Sequence, residues 1–272
     1  MPRISQMTEL ATAEPTDMLP IYEASSGVTK KISVKNLTGL PDVGWTATGE
    51  SWAYASWSST TRIGTITVPT DATTKYTAGM RIRIAQSTGG TKYGIIHKVA
   101  ATVLTVFFPS GTTLNNEAIT SPVYSALDVP YGFNKDPLVW SLSITDTSDR
   151  STTSTSWSNP GSVLLALGIG CWDLSYSCNL LVTRAATTFA NGRSTLSAAN
   201  NTEDDSSMSG QAYIGAPSGT LVLRISVYKQ KDVNLAAATT YYLNLISTAA
   251  SITVTAEGAV VASKINAVSR HL

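Results

Sequence analysis

From Arg62 to Ile265 one pattern recurs: a short apolar or alternating run, then a cluster of glycine, proline, serine, asparagine or aspartate. In runs such as MRIRIA (80–85), KYGIIHKV (92–99) and TVLTVFF (102–108), side chains two apart share a face, as in a half-buried strand. Helical periodicity and helix-capping signals are scarce, and Gly89-Gly90 reads as a hairpin turn. The chain is therefore expected to be all-β and antiparallel.

Changes in character divide it. Residues 1–43 read as an N-terminal arm, 44–124 as a small antiparallel barrel or sandwich, 125–137 as a Pro/Gly linker, and 138–272 as a second, larger sandwich. In the arm, a turn at Pro15–Asp17 precedes the apolar run Met18–Tyr22. Ser25–Gly27 turns the chain, and Val28, Lys30, Ile32 and Val34 alternate on one strand. Gly39, Pro41 and Gly44 then separate this hairpin from the middle segment. A lone hairpin is marginal in water, so it is expected to be ordered by docking on something else, through Leu19, Ile21, Tyr22, Lys30, Ile32 and Val34. The lysines at 30, 31 and 35 fit a solvated strand edge that discourages unwanted pairing.

In the middle segment, Trp52, Tyr54 and Trp57 admit two readings: an exposed stacking platform for sugar rings, or burial against Ile63, Ile66 and Val68 as a small core. Arg81 and Arg83 share one face of their strand and are expected to meet solvent, with Ile82 and Ile84 on the other. His97, set among Ile95, Ile96 and Val99, reads as a hydrogen-bonded structural residue.

The larger segment gives strands near 138–144, 162–167, 171–182, 211–214, 220–228, 239–246, 252–255 and 260–265, the spacing of a sandwich or jelly roll. Two polar stretches, 146–161 and 183–208, are expected as loops, where sandwiches commonly place recognition surfaces. Asn200 and Asn201 in the second suit hydrogen bonding to glycans. Cys171 and Cys178 are separated by an odd spacing, which puts them on opposite faces of a regular strand.

At 272 residues the chain can fill two modest cores. Its formal net charge of +1 argues against specific nucleic-acid binding, which needs a concentrated basic surface. No run reaches the roughly 18 apolar residues of a membrane helix, and MPRISQMTEL has no apolar signal core, so synthesis in the cytoplasm without membrane insertion is expected. Serine-hydrolase, zincin and phosphate-loop motifs are lacking, and the acidic group Glu203, Asp204 and Asp205 lacks the order of a calcium loop. Neither an enzyme nor a cofactor is expected.

The opening pattern L..D.LPIY....TKKISV..L resembles the N-termini of tailed-bacteriophage virion proteins, especially fibre, spike and head-decoration proteins. PGSVLLALGIGCWDLSYSCNLLV, DVNLAAATTYYLNLIS and ASKINAVSRHL are similar to trimeric jelly-roll heads of the tumour-necrosis-factor and complement-globular type. The resemblance implies a virion protein and a homotrimer with Tyr241, Tyr242 and Leu243 near the three-fold contact. It also implies phage capsid or tail proteins as partners, with the arm as anchor and host-surface glycan as a further contact of the head. A short fibre or spike and a shell-coating decoration protein both remain open.

Overall fold

A computed structural model describes residues 18–23, 28–33, 44–184, 189–215 and 221–272, and the side chains of those from residue 44 onward except Leu221. Within these the fold is all-β. Strands β1 (Met18–Glu23) and β2 (Val28–Ser33) pair antiparallel, and with no other described strand. Their register couples Leu19 with Ile32, Ile21 with Lys30, Tyr22 with Thr29 and Glu23 with Val28. Val34, Lys35 and the turns at 15–17 and 25–27 lie outside the described residues.

The middle unit is one curled seven-stranded antiparallel sheet. It contains β3 (Thr46–Ala47), β4 (Ala53–Ser58), β5 (Ile63–Thr67), β6 (Arg81–Gln86), β7 (Gly90–Ala100), β8 (Val103–Phe107) and β9 (Thr120–Ser125), in the order β3-β9-β6-β7-β8-β5-β4. Register shifts between Tyr54 and Ser56, Arg83 and Ala85, and Ile96 and Lys98 add local bend and twist. The sheet closes over Trp52, Ile66, Ile82, Ile84, Leu104, Val106 and Phe108.

The C-terminal unit is a two-sheet sandwich. Its strands are β10 (Ser141–Asp146), β11 (Asp149–Thr152), β12 (Leu164–Leu167), β13 (Gly170–Arg184), β14 (Ala190–Ser197), β15 (Ser209–Ile214), β16 (Leu221–Leu235), β17 (Thr239–Ser247), β18 (Ile252–Glu257) and β19 (Ser263–Ser269). β13 organises the larger sheet. Along its whole length it pairs with β16 on one side; on the other, β19 and β18 succeed each other end to end. The smaller sheet runs β12-β17-β14-β15. Trp172, Leu174, Tyr176, Cys178, Leu180 and Val182 alternate into the core, where Leu196, Tyr241, Leu243 and Leu245 also lie. Cys171 is partly exposed and Cys178 buried, on opposite faces as their spacing requires.

Two expected loops contain strands. The stretch 183–208 holds β14, which is central in its sheet, and 146–161 holds β11. β14 reads ANGRSTLS and lacks an apolar alternation because small polar side chains take inward places: Ser194 Oγ lies 3.2 Å from the Tyr176 hydroxyl and 3.6 Å from Cys178 Sγ.

The two units share a core. Phe107 meets Trp172 edge to face at 4.9 Å between ring centroids, and Phe133 stacks on Trp140 at 5.1 Å. Arg62 Nη1 donates to Val139 O at 2.9 Å while its guanidinium lies over Phe107. Residues 125–137, expected as a linker, therefore pack against what they connect. Arg81 and Arg83 do share a face, but it is the docked one rather than a solvent face. Arg81 is buried, donates to the Asp128 carbonyl and lies over Phe133, while Arg83 lies over Trp45. Burial lowers the pKa of Arg81, partly offset by Asp128.

Candidate recognition face

The aromatic cluster of the middle unit is core. Trp52 is 4% exposed, meets Tyr76 edge to face and donates its Nε1 to Glu50. Trp57 packs edge to face on Phe108, and Tyr54 packs against the same core. The physical reason is that a single curled sheet needs large apolar side chains to fill its concave side. Glu50 collects Lys75, Tyr76, Thr70 and Trp52 around one carboxylate. Burial raises its pKa, but these hydrogen bonds together outweigh that and hold it below the usual range.

Tyr241 and Leu243 are likewise interior, 4% and 2% exposed within one protomer, because their position on β17 points them at the facing sheet. Tyr242, the intervening residue, is partly exposed. The expected three-fold contact therefore loses two of its three side chains to the protomer's own core.

The other predicted polar residues separate into two roles. Asn201 is structural: its Oδ1 accepts from Asn159 N at 2.7 Å, and its own N–H donates to Asn244 Oδ1 at 3.2 Å. Buried Asn244 also donates to the carbonyls of Ala199 and Thr202. These bonds tie the two polar stretches to each other and to β17. Asn200 is exposed.

The acidic group is also committed internally. Glu203 accepts from Arg193 and Ser209, Asp204 accepts from Ala198 N, and Asp205 caps a short 3-10 turn while pairing with Lys231 at 2.7 Å. Lys231 and Ser207 hold the Asp205 carboxyl down at about 2. Among the described residues no group of three or more His, Cys, Asp or Glu side chains could hold a metal ion.

The exposed aromatic surface lies elsewhere, at residues the sequence pattern does not single out. β13 begins beside His97 and runs fifteen residues away from the middle unit. At about 3.3 Å per residue that is roughly 45 Å. At its far end Arg184 Nη1 donates to Gly215 O, locating the end of β15 there. Phe189 and Tyr213 stand at this tip, 62% and 56% exposed, their rings stacked with centroids 6.0 Å apart.

The pairing of β14 with β15 sets Asn191 opposite Tyr213 and Arg193 opposite Gln211. Alternation therefore puts Asn191, Arg193, Gln211 and Tyr213 on one outer face. Trp157, from the other polar stretch, lies over the Arg193 guanidinium at 5.1 Å. The site is thus two exposed rings continued along β15 by amide, guanidinium and hydroxyl groups. Such a surface suits a ligand with an apolar ring face and a hydrogen-bonding rim. The one readable signal is the pair of polar stretches, since Phe189 and Tyr213 are isolated aromatics in polar sequence.

No family model and no curated protein matches the chain. Among solved structures it is similar to two from infectious bursal disease virus. The structure of the Gx strain is 11% identical, with 94% of this chain and 70% of that one covered at a TM-score of 0.23. The VP2 subviral particle is 12% identical, with 93% and 68% covered at 0.23. Likeness at this level carries no argument about function. No helix among the described residues is long and apolar enough to cross a membrane, which does not bear on strands.

Proposed function

We propose that the chain is a structural protein of a tailed-bacteriophage virion, a short fibre or spike that works as a homotrimer and catalyses no reaction of its own. The observation that carries this reading is the division of labour along the chain. The β1–β2 hairpin pairs with no other described strand, whereas residues 44–272 contain a core of their own. A hairpin of that kind gains stability by docking, and its opening sequence resembles virion attachment arms. Self-association has support from β16, which pairs only with β13 and leaves one long edge without a described partner strand. A closed ring is a common means of covering such a surface.

In this reading the hairpin anchors the protein to capsid or tail proteins, and the tip bearing Phe189 and Tyr213 points away to meet host-surface glycan. The deciding experiment is cryo-electron microscopy of intact particles carrying a label on this protein. Density at tail sites with three-fold symmetry supports the fibre. Trimers spread over the capsid lattice transfer the protein to shell decoration, and absence from the particle overturns the virion reading.

A further inference from the structure

Beside the exposed rings, a cleft of about 340 Å³ opens along β15, lined by Arg193, Ser206, Ser209, Gly210, Gln211 and Lys229. It falls at the lower end of small-molecule pocket sizes, roughly 300 to 1,000 Å³. Its lining holds two cations, two hydroxyls and an amide, and no carboxylate. Arg193 is engaged by Glu203, and neighbouring Lys231 by Asp205. Lys229, from the facing edge strand β16, takes part in none of the ion pairs among the described residues. Among the described residues the cleft therefore presents one ammonium group that is not within ion-pair distance of a carboxylate.

Gln211 and Tyr213 are two residues apart on one strand, about 6.6 Å. One extended oligosaccharide can therefore touch the cleft and the rings together. We infer that this strip binds an acidic saccharide, with one sugar ring against Phe189 and Tyr213 and the anionic group of an adjoining unit at Lys229. The inference rests on the reading of the tip as a glycan contact and adds the ligand's charge. The serine hydroxyls and the Gln211 amide supply donors and acceptors for the sugar's own hydroxyls.

The test is calorimetric titration of the full chain with two probes, a galacturonic-acid oligomer and a neutral maltooligosaccharide. The acidic oligomer should bind, and binding should weaken about tenfold in Lys229→Gln, recover in Lys229→Arg and fall in about 0.5 M salt. Tyr213→Ala should weaken it as well. If the neutral oligomer binds equally well, or Lys229→Gln is without effect, the acidic assignment falls while a glycan contact at the tip stands. Binding of neither probe by the well-folded chain overturns both.

Discussion

His97 Nδ1 stands 2.8 Å from the carbonyl oxygen of Ile169, a bond that joins β7 of the middle sheet to the turn entering β13. A carbonyl oxygen only accepts, so Nδ1 carries the proton. Nε2, 3.0 Å from Ser269 Oγ, then accepts from that hydroxyl. The neutral ring satisfies both partners, and since the Ser269 hydroxyl can also accept from a charged ring, it is burial and not hydrogen bonding that opposes the charge. Burial accordingly pushes its pKa down to about 3, with the Ile169 bond opposing and His271 reinforcing the shift.

Because the folded-state pKa is depressed, the unfolded chain binds the extra proton first, and stability falls as pH drops below about 6.5. Between about pH 6.5 and about pH 3 this group by itself contributes a slope of up to about 1.4 kcal/mol per pH unit. Burial lowers the His271 pKa too, so it adds in the same direction. Glu117, held at about 2 by Ser87 and Thr88, acts lower down, because a depressed carboxylate loses its contribution as pH falls through and below 4.5. Denaturant titrations across this window should therefore show a steeper loss in the native chain than in His97→Gln. Equal slopes would mean that the buried ring is not what senses acid.

Gly170 occupies φ +142°, and a Cβ there would fall on the His97 imidazole. Gly170→Ala should cost about 3 kcal/mol or more, combining backbone strain with displacement of the inter-unit bond. Gly111→Ala provides a control for strain alone, since φ is +79° there and nothing stands near the added carbon. A midpoint for Gly170→Ala no lower than that of Gly111→Ala would separate Gly170 from the docking of the two units.

Trp52 and Tyr213 are both aromatic residues in polar surroundings in sequence, yet they should respond oppositely to truncation. Trp52→Ala removes a buried ring and leaves Glu50 short of a donor, a loss of about 3–5 kcal/mol. Tyr213→Ala and Phe189→Ala remove exposed rings and should stay within about 0.5 kcal/mol of the native chain. Unfolding curves distinguish these directly, and a large destabilisation by either tip substitution would recast the stacked pair as structural.

The difference between those residues marks how far the sequence could be read. The all-β class and the facing of Cys171 and Cys178 come from period-two alternation, which is a local property. The division of Arg81 and Arg83 from Ile82 and Ile84 comes from the same rule. Which face of a strand meets solvent is decided by contacts distant in sequence. Arg81 is covered by residues 128–133, and Trp52 by a sheet that curls back over it. β14 is hidden in the sequence because its inward serines bond across the core instead of supplying apolar bulk. The tip was illegible for a related reason: Phe189 and Tyr213 are 24 positions apart, and only the Asn191–Tyr213 register makes them neighbours.

The arm offers the most direct separation of folding from attachment. β1 and β2 pair only with each other among the described strands, and residues 44–272 bury a large apolar core. Deleting residues 1–43 should therefore leave the unfolding free energy of the remainder within about 0.5 kcal/mol of the full chain, as expected where no strand pairing of the body is lost. The same deletion should abolish incorporation into particles, measured by the amount of protein that sediments with purified virions. Substituting Ile21 and Ile32 together by aspartate tests the apolar residues that the sequence assigns to docking, within strands whose pairing is of the backbone. If the truncated chain is stable and still incorporates, the anchor lies within residues 44–272. If it unfolds, the hairpin has a stabilising role in the body that its strand pairing does not reveal. Stable protein that no longer sediments with particles is the outcome expected of an attachment arm.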